Sequence, residues 1–193
     1  FDYVGSGESE GEFAEQTHFS GWIQDAVSVL EWTKTLDNVD STRMGLIGHS
    51  LGGGLVTYLL SVRDDIRAAV GLAPVTLLEE NFREIIIGPK KWEEGLKGNT
   101  IRDFYNKKYS LKPHFFQDLL QYNLLERAAK IQCPYLVIHG KEDQAVPLRH
   151  SYDLMNALTS PDAKLEVFEQ ESHLFSESIH PVILEWFDSR LKA

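Results

Sequence analysis

The sequence predicts an α/β fold: a mostly parallel sheet with helices on both faces. Short continuous apolar runs at 44–47, 68–73, 135–139 and 165–168 read as buried strands. Stretches with helical spacing at 20–36, 51–61, 147–158 and 181–191 alternate with them, as crossovers between parallel strands require. The 193 residues, 42% hydrophobic and 25% charged, suit one domain with a sizeable core.

Each element has a local cause. Phe1-Asp2-Tyr3-Val4 reads as the end of a strand, followed by a Gly- and Ser-rich loop from Gly5 to Gly11. In the first helix Ile23, Ala26, Val27 and Leu30 share one stripe, with Asp25, Glu31 and Lys34 turned away. Asp37 to Ser41 is a turn into the strand at 44–47, and Arg63-Asp64-Asp65 turns the chain into the strand at 68–73, which Pro74 stops. Pro134 starts the strand at 135–139 and Gly140 ends it. The closing helix has Pro181 in its first turn and Val182, Trp186 and Leu191 among its apolar positions. Residues 76–132 are too long for a simple crossover and rich in aromatics. They read as a cap inserted into the single domain 1–193, mostly helical over 113–130, with Tyr105, Tyr109 or Phe116 shaping a pocket.

Composition narrows the partners. A net charge of -10 disfavours nucleic acid and anionic membranes. No run approaches the ~20 apolar residues that span a bilayer. Cys133 is the lone cysteine and no Cys/His cluster has zinc spacing, so neither a disulfide, a metal nor another cofactor is expected. That usage suits a reducing compartment, and the cytoplasm is the expected location. The expected partners are a small-molecule substrate and, as assembly, a homodimer.

The chemistry centres on Gly48-His49-Ser50-Leu51-Gly52. An apolar strand enters and a helix leaves, so Ser50 sits on a tight turn whose neighbours must be small. The helix aims its N-terminal amides where an oxyanion would form. A serine nucleophile needs a base and the base an acid. Asp143, in the loop past the strand at 135–139, is the expected acid, with Glu142 as the alternative; His173, after the last strand, is the expected base. His49 is expected to point away from the serine and His139 to brace the acid loop. His18, His114, His150 and His180 read as surface residues. Gly7-Glu8-Ser9-Glu10-Gly11 also fits G-x-S-x-G, but no apolar helix follows it and its two carboxylates would oppose an oxyanion.

On these residues the chain resembles the α/β-hydrolase superfamily. The segment 2–11 is similar to a loop of its esterase and serine-aminopeptidase-like branches. Gly48-His49-Ser50-Leu51-Gly52-Gly53, the His139-Gly140 block through Asp143 to Val146-Pro147, and Ser172-His173 match the nucleophile, acid and histidine positions in order. The insertion and Ile131-Gln132-Cys133-Pro134 are most similar to feruloyl (cinnamoyl) esterases. The resemblance implies a serine esterase working through Ser50, His173 and Asp143, with Leu51 in the oxyanion hole. It also implies that the first strands of the fold, with one oxyanion donor, precede this chain, leaving the edge at 44–47 bare. Losing such a donor costs on the order of 10²–10³ in rate, so weak activity of this chain alone is the expectation. A peptidase of prolyl-oligopeptidase type and a non-catalytic binding module on the same scaffold are the alternatives.

Overall fold

Six strands occur among the described residues of the computed structural model, which are 1–104 and 109–192. They are β1 (Gly45–His49), β2 (Ala68–Leu72), β3 (Ile101–Asp103), β4 (Tyr109–Leu111), β5 (Tyr135–Gly140) and β6 (Ala163–Phe168). β1, β2, β5 and β6 form one parallel sheet in that order, with Leu46 opposite Ala69, Val70 opposite Leu136 and Leu136 opposite Lys164. β3 and β4 pair antiparallel in a separate two-stranded sheet. The chain divides into two compact units, Phe1–Val39 with Glu79–Tyr122, and Asp40–Leu78 with Asn123–Ala193.

The second unit holds the parallel sheet. Every residue of β5 is buried, as a central parallel strand demands when both faces are covered. On one face Ala68, Val70, Leu136 and Ile138 pack with Ile179 and Trp186, backed by Phe175, Val182, Ile183 and Phe187. Most of these partners belong to the last helix (His180–Leu191), where Pro181 stands in the first turn as its fixed φ favours. Fully burying a side chain such as Val70, Leu136 or Ile138 contributes roughly 1.5–3 kcal/mol. On the other face the helix Leu51–Leu60, apolar nearly all round, lies against β1 and β2, and Tyr135 reaches its Thr57 at 2.9 Å. The helices Leu124–Ala128 and Arg149–Ala157 complete this unit. β1 is an outer strand of the sheet, and its Ile47 is 52% exposed.

The first unit is built on the helix Phe19–Thr33, which buries Phe19, Ala26 and Leu30. Asp118, buried, accepts hydrogen bonds from the Ser20 amide (2.8 Å) and the Ser20 hydroxyl, an anion at the helix N-terminus. In the same unit the rings of Phe82, Trp92, Phe115 and Phe116 stack edge to face in a cluster with neighbouring centroids 5.3–5.4 Å apart. Helices Phe13–Gln16 and Pro89–Leu96 and a π-helical turn Phe82–Ile86 have no periodic signal long enough to read in the sequence.

One expectation of secondary structure changes. Phe1 to Val4 form no strand: the Ser6 amide bonds the Tyr3 carbonyl, the Glu8 amide bonds the Asp2 carboxylate, and the Val4 amide bonds Asp25 at 2.9 Å, so the backbone closes on itself. The helical stretch 113–130 is two helices, Pro113–Leu119 and Leu124–Ala128, because the Asn123 side chain accepts from the Glu126 amide and caps a second start. Of the aromatics expected to shape a pocket, Phe116 is fully buried in the ring cluster and Tyr109 packs on Phe13 at 4.4 Å; Tyr105 lies outside the described residues.

Candidate active site

Ser50 sits between β1 and the helix Leu51–Leu60 with φ 58° and ψ -121°, a left-handed backbone that costs on the order of 1–3 kcal/mol. Neighbouring hydrogen bonds hold it there. Its amide donates to the Leu72 carbonyl at 2.8 Å, and its carbonyl accepts from Gly53, Gly54 and Val75. Gly48 is obligatory, since a β-carbon there would stand 2.2 Å from the Gly52 carbonyl oxygen. Ala73 next door also has positive φ, 41°, and its amide donates to Ile138 at 2.7 Å. Two strained turns thus meet at the carboxyl ends of adjacent strands. As the first residue of its helix, Leu51 has an amide with no intrahelical partner.

Asp143 follows β5 in the loop that the apolar strand predicts. One carboxylate oxygen accepts from the Ala145 and Val146 amides, both at 2.8 Å. The other accepts from His173 Nδ1 at 2.8 Å and lies 3.5 Å from His139 Nε2. Burial alone would raise this carboxyl; hydrogen bonds from His139, His173 and the Val146 amide outweigh it and hold Asp143 well below the usual carboxylate range. A carboxylate only accepts, so Nδ1 of His173 carries the proton and Nε2 of the neutral ring has the lone pair that takes one.

His139 is fully buried, as a brace for this loop should be. Its Nε2 faces the Val146 carbonyl at 2.9 Å and must donate, so Nδ1 accepts from the Ser151 hydroxyl at 2.6 Å. Glu142 is exposed and its amide bonds the Glu171 carbonyl; the carboxylate bonded to His173 is that of Asp143.

His173 hangs in the loop after β6. That loop is shaped by the Glu171 carboxylate, which takes the Ser176 amide at 2.9 Å and the Ser176 and Ser178 hydroxyls. The structure therefore joins Asp143 to His173 directly. Among the described residues no hydrogen bond joins the Ser50 hydroxyl to His173, whose ring bonds Asp143. An open cleft of about 660 Å³ is lined by Lys141–Ala145 residues, His173 and Leu174, the last 80% exposed.

Sequence reasoning missed two histidines. His49 meets the loop that carries the base, a contact its sequence position did not show: its Nε2 lies 2.8 Å from the His173 carbonyl, and the two rings are 4.5 Å apart. His150, read as a surface residue, is 1% exposed and accepts the Thr76 and Leu77 amides on Nδ1. Its polar sequence neighbours concealed that the amides after Pro74 need a buried acceptor. His18 and His114 are half-buried, with rings 5.5 Å apart, and His180 is exposed. Among the described residues no group of three or more His, Cys, Asp and Glu could hold a metal ion, and no helix is long and apolar enough to cross a membrane.

Comparison with known proteins adds sequence and fold relationships. The model of a family described as the prolyl oligopeptidase family matches residues 1–192. Mouse mitochondrial palmitoyl-protein thioesterase ABHD10 is 30% identical over 190 residues, covering 95% of this chain and 61% of that protein. The chain thus spans about three-fifths of the length of this relative. The structure of mouse alpha/beta hydrolase domain-containing protein 10 superposes with a TM-score of 0.73 at 27% identity, over 97% of this chain and 75% of the other. Est1E from Butyrivibrio proteoclasticus, solved with ferulic acid bound, gives a TM-score of 0.73 at 21% identity, over 97% and 73%, and shares the fold. The fold is that of the α/β-hydrolases.

Proposed function

Given that the chain belongs to the prolyl oligopeptidase family, we propose that it is a serine hydrolase that cleaves carboxylic esters through Ser50, His173 and Asp143. The observation that carries this reading is the 2.8 Å contact between Asp143 and His173 in the same unit as a strained Ser50 at a helix N-terminus. Ser50 attacks the ester carbonyl while its proton passes to His173 Nε2. Asp143 holds the imidazolium that results, and the Leu51 amide donates to the tetrahedral oxyanion. As the carbonyl re-forms, the C–O bond to the alcohol breaks and His173 returns the proton to the leaving oxygen. Water, deprotonated by the same imidazole, then attacks the acyl-enzyme and frees the acid.

The substrate class is a small-molecule ester of an aromatic or other carboxylic acid, or a thioester, whose acyl chemistry is the same. Ferulic acid on the fold relative and the thioesterase name of the sequence relative both favour acyl-oxygen or acyl-sulfur cleavage. The family description favours a second reading, a peptidase. Parallel assays of p-nitrophenyl and feruloyl esters, an acyl thioester and aminoacyl-nitroanilides separate the two. Ester turnover that disappears in Ser50→Ala supports the proposal. Turnover of anilides alone selects the peptidase. A folded chain that neither turns over substrate nor labels with a fluorophosphonate at Ser50 points to a binding module.

A further inference from the structure

The residue before the nucleophile is built into the support of the base. The His173 loop turns outward, with Leu174 beside it 80% exposed, so the position of its imidazole depends on tethers. Asp143 supplies one, at ring Nδ1. His49 supplies another from the carboxyl end of β1. The His173 carbonyl can only accept, so at 2.8 Å His49 Nε2 must carry a proton and donate it. The His49 ring also lies 4.5 Å from the His173 ring at an interplanar angle of 38°, and 5.9 Å from Phe175, edge on. His49 is peptide-bonded to Ser50. A single hydrogen bond therefore links the nucleophile's strand to the base's main chain across 124 residues of sequence.

We propose that His49 is a positioning residue for His173: its Nε2–H and its ring fix the imidazole in register with the Ser50 hydroxyl. The idea rests on the serine-hydrolase reading above. The reaction asks two things of this neighbour. It must hold the base within reach of a hydroxyl that is not yet bonded to it, because a misplaced proton acceptor costs rate without costing affinity. It must also stay uncharged while His173 carries the transferred proton, since a second cation 4.5 Å away would oppose imidazolium formation. Desolvation, and then the charge of His173, lower the His49 pKa; the hydrogen bond to the His173 carbonyl and the charge of Asp143 act in the opposite sense and are outweighed. The face of a neutral imidazole is a favourable surface for the cation that forms beside it.

The test uses the full chain and p-nitrophenyl acetate, with variants His49→Phe, His49→Gln and His49→Ala beside Ser50→Ala. Glutamine keeps an N–H near the place of Nε2; phenylalanine keeps the ring and loses the donor. His49→Phe should lower kcat by about 10- to 100-fold with KM changed by less than about twofold. His49→Gln should recover most of that loss. Because position 49 is exposed, melting temperatures should stay together. If phenylalanine lowers the melting temperature, the pair His49→Gln and His49→Ala decides on the same terms. Wild-type kcat in His49→Phe, or equal impairment in Gln and Phe variants, overturns the positioning role alone, provided Ser50→Ala is inactive. Activity surviving in Ser50→Ala overturns the serine-hydrolase reading and the inference with it.

Discussion

Gly140 lies so close under Glu171 that a β-carbon on it would stand 2.3 Å from the Glu171 carbonyl oxygen and 2.6 Å from that of Ser172. The end of β5 and the loop that carries His173 touch through bare backbone, and the Glu142 amide seals the contact by bonding Glu171 at 3.0 Å. This approach lets Asp143 and His173, thirty positions apart in sequence, meet side chain to side chain. Gly140→Ala should therefore push the loop outward. Overpacking of backbone costs about 1–3 kcal/mol, and the loss of activity should exceed what that destabilisation explains. Urea unfolding and ester hydrolysis on the same protein check this; a variant with full kcat would show that the loop absorbs the methyl.

Asp143→Asn removes the charge and keeps the shape. The amide can present an N–H to His173 Nδ1 and select the wrong tautomer, which in a triad of this kind costs on the order of 10⁴ in kcat. Stability carries a second signature. The folded carboxyl lies below its unfolded value of about 3.9, so its stabilising contribution is complete above that pH and is lost as pH falls through the folded value. Urea midpoints measured from pH 6 down to pH 2 should fall more steeply in the wild type than in Asp143→Asn. Parallel curves would contradict the depressed carboxyl.

The architecture, the tight turn at Ser50 and the loops that carry Asp143 and His173 were legible because local patterns encode them. Gly48 and Gly52 flank the serine between an apolar strand and a helix, and Tyr135 to His139 is a run that only a buried strand explains. The sequence offers Asp143 and Glu142 side by side, and it is the Asp143 carboxylate that takes the Ala145 and Val146 amides and bonds His173. What stayed hidden depends on contacts between distant segments. The direction of His49 is set by a carbonyl 124 residues away, and the burial of His150 by amides 73 and 74 residues away. Phe1 to Val4 have strand-forming residues, yet the Val4 amide donates to the Asp25 carboxylate and that of Asp2 takes the Glu8 amide.

The Cys133 thiol should be nearly inert. Desolvation by burial, helped by the charge of Asp162, pushes its pKa up to about 11. At neutral pH the thiolate, which is the reactive form, is then scarce. Iodoacetamide at pH 7.5 should modify the folded protein far more slowly than the same protein in urea, and without loss of hydrolysis. Rapid alkylation of the native chain would disprove the burial of this sulfur.

Ile47, at 52% exposure on an outer strand, gives β1 a sticky edge. Exposed apolar residues on such strands favour pairing with other chains, and a lysine there is a common block. Ile47→Lys should lower self-association in light scattering at raised concentration while leaving the melting temperature within a few degrees. Unchanged scattering would place any association elsewhere on the molecule.

Thr57 and Tyr135 test the packing beneath the elbow. Thr57 Oγ1 donates to the Gly53 carbonyl at 3.0 Å inside its helix, so at the 2.9 Å contact it accepts from the Tyr135 hydroxyl. Both side chains are fully buried, and burial is the main reason the tyrosine pKa is raised. Thr57→Val leaves that hydroxyl with the Gly53 carbonyl at 3.4 Å, too long to compensate. The cost should be about 1–3 kcal/mol, the penalty of a buried donor without a good partner. Tyr135→Phe removes the donor instead and should cost less, because the threonine keeps its bond to Gly53. In the double variant nothing is left unpaired, so its destabilisation should fall short of the sum by roughly 0.5–2 kcal/mol. Urea unfolding of the four proteins gives this coupling directly, and additivity within about 0.3 kcal/mol would mean that the two hydroxyls do not hold β5 to the helix that follows Ser50.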